Sequence, residues 1–215
     1  MIKAVIFDFD GVILDSAEIK TIAFGELFPE HPKESAKLLK YHMENMGISR
    51  YTKFRYFYET LLNTQYNESL DDVLGKRFSD IVLEKVLKSP FVPGAKTFLD
   101  NKTEDILFYI ATGTPQNEIE YILKQRDLTQ YFDGVYGTPM LKEDIISKIM
   151  LDSGLTNEEI IFIGDAMSDL KSAKAHNLHF YARVTEGTSA MFETQRFKSN
   201  DLNDLSRVIN EINNG

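Results

Sequence analysis

Apolar residues in this chain fall in short unbroken runs near the N-terminus and across the second half, and at helical spacing in between. The first run, Ala4-Val5-Ile6-Phe7, is β-branched and aromatic and predicts a strand buried on both faces of a parallel sheet. From Ser16 to Lys88 the spacing is helical, with no convincing strand. Helices are expected over residues 16–28, over 33–46 with Gly47 as the stop, over 51–62, and over 70–87, the last weakened by Gly75. Phe54, Phe57 and Tyr58 share one helical face, as a core stripe would. The stretch Ser89-Pro90-Phe91-Val92-Pro93-Gly94 then punctuates the chain. Beyond it, strands are expected at 106–112, 134–137, 159–164 and 178–182. Helices are expected at 115–124, 142–151, 168–176 and 203–213. Alternating β and α units mean a parallel sheet covered on both faces, so the expected class is α/β. The first strand belongs to that sheet. Residues 16–88 therefore form a helical insertion between core segments 1–15 and 89–215.

With 215 residues, 43% hydrophobic and 27% charged, the chain has material for one large domain or a domain with an insert. A net charge of −9 argues against nucleic acid or an anionic membrane as the main partner. No segment has the apolar length of a membrane span, and the N-terminus lacks a signal-peptide pattern, so a cytoplasmic address is expected. The absence of cysteine excludes disulfides, thiolate metal sites and a cysteine nucleophile. Four scattered histidines leave oxygen ligands for any metal, which favours Mg²⁺ over zinc. His42, flanked by Lys40 and Glu44, is expected to face solvent.

The chemistry is expected at the carboxyl ends of the strands, where open parallel sheets collect ligands. The first strand ends in Asp8-Phe9-Asp10-Gly11. Alternation directs Asp8 and Asp10 to roughly the same side, with Gly11 letting the chain turn beneath them. Like charges so close call for a divalent cation or a shared proton; an acidic turn with a helix-capping Asp is the plainer alternative. The second strand ends in Thr112-Gly113-Thr114-Pro115. Thr114 suits an N-cap and Pro115 the first helical position, giving an anion site or an ordinary capped helix. Lys142 opens a helix against the dipole, either to hold an anion or as a solvated lysine balanced by Glu143 and Asp144. Asp165 closes the strand at 159–164, and Asp169 lies near the next helix start.

These four stretches, in this order, resemble the motifs of the haloacid dehalogenase superfamily, in its branch with a helical cap inserted after the first motif. The resemblance runs from Ile2 to about Arg183. It implies a Rossmann-like core with an α-helical cap, and Mg²⁺ bound by Asp8, the Asp10 backbone carbonyl and Asp165. Asp8 would be the nucleophile and Asp10 the acid–base. Thr112, Gly113 and Lys142 would bind phosphate, and Asp169 would support the acidic motif. The acid at Asp10 argues against the dehalogenase and phosphonatase members. Met46-Gly47-Ile48-Ser49-Arg50 is similar to a cap segment of the β-phosphoglucomutase branch, so Arg50 is expected either to contact the far end of the substrate or to be a surface arginine. Where the mutase has a histidine this chain has Lys20, which favours a phosphatase over a mutase. The implied partner is a small phosphate ester such as a sugar phosphate or phosphoglycolate, bound by a monomer or homodimer. A phosphomutase and a non-catalytic binding protein on the same fold are the alternatives.

Overall fold

The structure, a computed structural model, describes all 215 residues. Six strands form one parallel sheet in the order β3-β2-β1-β4-β5-β6. They are β1 (Ala4–Phe7), β2 (Leu107–Pro115), β3 (Gly134–Thr138), β4 (Ile160–Gly164), β5 (His179–Arg183) and β6 (Phe197–Ser199). β1 is central, paired with β2 on one side and β4 on the other, so Phe7 lies level with both Ile110 and Ile163. Side-chain alternation divides the core. Val5, Phe7, Phe108, Ile110, Ile161 and Ile163 pack on one face, whereas Ala4, Ile6, Tyr109, Ala111, Ile160 and Phe162 pack on the other. Burial on both faces is why the runs at β1 and β4 read as continuous apolar stretches.

Between β1 and β2 the chain forms helices α1 (Ala17–Glu26), α2 (Pro32–Glu44), α3 (Arg50–Tyr56) and α4 (Ser69–Lys88), followed by the short α5 (Ala95–Asp100). The expected helix over 51–62 is α3 plus a wider turn over Phe57–Leu61, which closes with the Leu62 amide donating to the Phe57 carbonyl. Phe24, Phe28, Leu38, Phe54, Phe57 and Phe78 fill the interior of the four-helix stretch, and Phe28 stacks on Phe57 with centroids 3.8 Å apart. The aromatic stripe is therefore packing, as its spacing predicts. The outgoing and returning strands of chain run side by side: the Asp15 amide donates to Pro90, and Val92 donates to Ile13.

Helices α6 (Gln116–Gln125), α7 (Lys142–Ser153), α8 (Met167–Ala175) and α9 (Leu205–Asn214) complete the layers. Ile119, Ile122 and Leu123 of α6 are buried as expected. Outside the sequence reading lie α5, the three-residue β6 and three single helical turns at Thr129–Tyr131, Asn157–Glu159 and Ser189–Phe192. No helix is long and apolar enough to cross a membrane.

Candidate active site

Asp8 follows β1 directly and Asp165 follows β4, and because these strands are paired in register the two carboxylates emerge side by side. Asp169, on the first turn of α8, joins them. One carboxylate oxygen from each of Asp8, Asp165 and Asp169 lies within 4.8 Å of the other two, and all three residues are buried. Lys142 enters from the start of α7, with Nζ 2.9 Å from Asp8 Oδ2 and an ion pair to Asp169. It is buried, so the reading of a solvated lysine balanced by Glu143 and Asp144 is corrected: its counter-charges come from the end of β1 and the start of α8. When ionised, three carboxylates against one ammonium leave a local excess of negative charge.

Each carboxylate has a different environment. Asp8 Oδ1 accepts from the Phe9 amide at 2.7 Å. Asp169 Oδ2 accepts from the Asp165 and Ala166 amides at 3.2 and 3.0 Å, so it caps α8 while its other oxygen holds Lys142. Burial, opposed by Lys142, leaves its pKa raised to about 6. The Asp165 carboxylate itself forms no hydrogen bond or ion pair. Burial, then the Asp8 and Asp169 charges, push its carboxyl well above the ordinary range, against a smaller pull from Lys142 and Arg183. Gly11 makes the approach feasible. Its φ is +83°, and a Cβ there would fall on the Asp165 carboxylate. A buried, hydrogen-bond-poor carboxylate beside two others is the donor set of a hard divalent cation, and these residues fit one.

Asp10 does not join that cluster. The regular strand ends at Phe7, and the turn through Gly11 directs Asp10 towards α1 and β2. Oδ1 accepts from Ser16 Oγ at 2.7 Å; Oδ2 accepts from Thr114 Oγ1 at 2.9 Å and pairs with Lys20. Burial works to raise the Asp10 pKa, but the Lys20 charge and the hydrogen bonds from Lys20, Ser16 and Thr114 outweigh it and hold it below its ordinary value. Thr114 thus serves Asp10 and does not cap α6. The expected N-cap moves one residue on, to Pro115, because Asp10 and Lys20 claim the hydroxyl. Thr112 is buried beneath this tip, its Oγ1 accepting the Thr114 amide at 3.2 Å.

A cleft of about 540 Å³, its open mouth included, separates this edge from the helices of the 17–88 stretch. Its core side carries Asp8, Asp10, Asp165, Thr112, Gly113 and Thr114. The opposite side presents Lys20, His42, Arg50 and Lys53, with the loop 46–48 between. That loop docks on the core: Ser168 Oγ donates to the Met46 carbonyl at 3.0 Å, and Gly47, at φ +79°, has no room for a Cβ against Ser168 and Ala166. Arg50 is 4% exposed, which removes the surface-arginine reading. Its guanidinium forks onto Glu118 of α6 at 2.6 and 3.0 Å and also reaches Ser79 at 2.9 Å. His42 is likewise buried, not solvent-facing: α1, α2 and α3 close around it, and its ring lies 4.6 Å from that of Phe24. His42 and Lys53 line the cleft, while Ser16 holds Asp10 and Glu118 holds Arg50 from behind it; sequence reasoning gave none of the four a role there. Helical spacing put His42 and Lys53 among charged neighbours, and only helix packing turns them inward.

An α/β fold that gathers three buried carboxylates fit for a cation, a lysine and hydroxyls on one sheet edge suits an enzyme acting on an anionic small molecule. The sequence profile of the haloacid dehalogenase-like hydrolases matches residues 5–183, and the chain belongs to that family. A phosphorylated carbohydrates phosphatase from Thermotoga maritima is 25% identical over 178 residues, covering 80% of this chain and 81% of the relative. A phosphoglycolate phosphatase from Aliivibrio fischeri is 23% identical, covering 84% and 83%. In fold, the chain is similar to a β-phosphoglucomutase from Clostridium difficile, with a TM-score of 0.79 at 19% identity, covering 100% of this chain and 98% of that one. The family is one of hydrolases, and the two sequence relatives are both phosphatases; together they make this chain a phosphoric monoester hydrolase.

Proposed function

We propose that the protein is a Mg²⁺-dependent phosphatase of small phosphorylated metabolites, with residues 16–88 as a cap over a core of 1–15 and 89–215. The observation that carries this reading is the buried set Asp8, Asp165 and Asp169 around Lys142, with Asp10 beside it on the core side of one cleft. Mg²⁺ held by Asp8, the Asp10 backbone carbonyl and Asp165 supplies the positive charge that lets a carboxylate meet an anionic phosphoryl group. Asp8 is the nucleophile. One of its oxygens forms a bond to phosphorus as the bond to the ester oxygen breaks, giving an aspartyl-phosphate. Lys142, Thr112 and the Gly113 backbone hold the phosphoryl oxygens.

Asp10 handles the protons. Its carboxyl gives one to the leaving oxygen; as carboxylate, it then takes one from the water that attacks phosphorus, which frees phosphate and restores Asp8. The Lys20, Ser16 and Thr114 contacts favour the carboxylate, the form the hydrolytic step requires. Mg²⁺-dependent phosphate release from a panel of small esters tests the reading. Asp8→Asn is expected to abolish release with its unfolding transition intact; full activity in that variant would exclude the scheme.

A further inference from the structure

Three ammonium or guanidinium groups line the cleft, and two of them are already matched by carboxylates. Lys20 is paired with Asp10 and Arg50 with Glu118. Lys53 is the exception: it is 2% exposed, lines the same cleft, and forms no ion pair. Its Nζ donates to His42 Nδ1 at 2.8 Å and lies 4.9 Å from the centroid of the Phe24 ring. Burying a charge in this way is costly, and an apolar residue would pack against Phe24 at no such cost.

Support for Lys53 extends through a second and a third polar residue. His42 Nε2 meets Thr21 Oγ1 at 3.0 Å, and that hydroxyl donates to the Ala17 carbonyl at 3.2 Å. With its proton committed to Ala17, the Thr21 oxygen accepts from His42 Nε2–H, which leaves Nδ1 as the acceptor for Lys53. Burial, then Lys53 and Lys20, depress the His42 pKa to about 3, in keeping with a neutral ring. Three side chains from α1, α2 and α3 therefore hold one amine against the cleft, with only one of its N–H groups used by His42. Burial, then the charges of Lys20, Lys142 and Arg50, lower its pKa to about 7, so an anion beside it favours the ammonium form.

We propose that Lys53, positioned by His42, receives a second anionic group on the substrate, a carboxylate or a further phosphoryl group. This rests on the phosphatase reading for the first phosphoryl group, which sits at Asp8. It reassigns the far-end contact expected of Arg50, whose fork is occupied by Glu118 and Ser79 and which instead ties α3 and α4 to α6.

Calorimetric titration of the Mg²⁺-loaded protein with three non-hydrolysable ligands tests this without requiring turnover. Propylphosphonate carries only the first anionic group, 3-phosphonopropionate adds a carboxylate, and propane-1,3-diphosphonate adds a second phosphonate. At least one of the doubly anionic ligands is expected to bind roughly 10- to 100-fold more tightly than propylphosphonate, the range of a charge-assisted hydrogen bond. Which one does so distinguishes a carboxylate from a phosphoryl partner. Lys53→Met and Lys53→Gln are expected to remove the preference while propylphosphonate still binds, and that retained binding reports an intact site. Lys53→Arg should restore much of it. His42→Gln should reduce the preference without changing propylphosphonate affinity. Equal binding of all three ligands by the wild-type protein, or a preference that survives in both Lys53→Met and Lys53→Gln, overturns the proposal even if esters are hydrolysed. A preference that depends on Lys53, in a protein that hydrolyses no ester, leaves this receptor standing and removes the phosphatase reading.

Discussion

Replacing Asp165 by Asn should make the metal-free protein more stable and blind to Mg²⁺. Asp165 is buried, with one oxygen within 4.8 Å of an oxygen of each like-charged partner, Asp8 and Asp169. At an effective dielectric constant of about 20, one such pair repels by roughly 3 kcal/mol, and Lys142 offsets part of the sum. The folded pKa is raised, so this group's contribution is favourable below its unfolded pKa and is lost as pH rises through the folded value. Near pH 7.5 the acid is therefore a cost. The amide carries no charge, and no side-chain hydrogen bond of Asp165 is sacrificed. A gain of about 2–3 kcal/mol is expected in EDTA, or roughly 4–12 °C in Tm for a chain of this size. In the wild-type protein, Mg²⁺ at about 100 times its Kd should add about 2.7 kcal/mol; in Asp165→Asn that increment should largely vanish. Thermal melts in EDTA and in Mg²⁺ measure both. A variant that melts lower than wild type in EDTA, or that keeps the full Mg²⁺ shift, would refute the account of the cluster.

Three further outcomes follow from the same geometry. Gly11→Ala should lose about 2 kcal/mol or more in urea unfolding, because φ +83° is strained for alanine and the added methyl group falls on Asp165; an unchanged midpoint would contradict this. Thr114→Val removes a donor from Asp10 and should lower kcat by roughly ten-fold, the worth of a charge-assisted hydrogen bond, with the Mg²⁺ melting shift retained. Wild-type turnover would show that the contact is idle. His42, with a folded pKa of about 3, contributes stability that is present above its ordinary value of 6.5 and lost as pH falls towards 3. Between pH 7.5 and 5 the wild-type protein should therefore lose roughly 2 kcal/mol more than His42→Gln, measured by urea unfolding at both values. Equal losses would place His42 in contact with water.

How far the site could be read from the chain depended on which contacts are local. Asp8 and Asp165 were legible because each directly follows an apolar run, and adjacent parallel strands deliver their next residues to the same edge. The partners of Asp10 were less so. Alternation sends Asp8 and Asp10 the same way only while the strand continues, and it stops at Phe7. Thr114 matches the pattern of a helix cap, yet its hydroxyl goes to Asp10, a residue 104 positions away. The strand β6 has three residues and the helix α5 has six, too few for either period to declare itself.

The sequence by itself determined the alternation of strands and helices, the helical stretch after β1, and the order in which acidic and hydroxyl residues reach the sheet edge. These are set by periods of two and 3.6 residues and by turn chemistry, all properties of neighbouring positions. Only the tertiary structure decided which charges are compensated. Arg50 meets Glu118, Lys142 meets Asp8 and Asp169, and Lys53 is left with neutral His42. Charge pairing acts through space between elements far apart in the chain, and a buried cation is told from a solvated one by what packs around it.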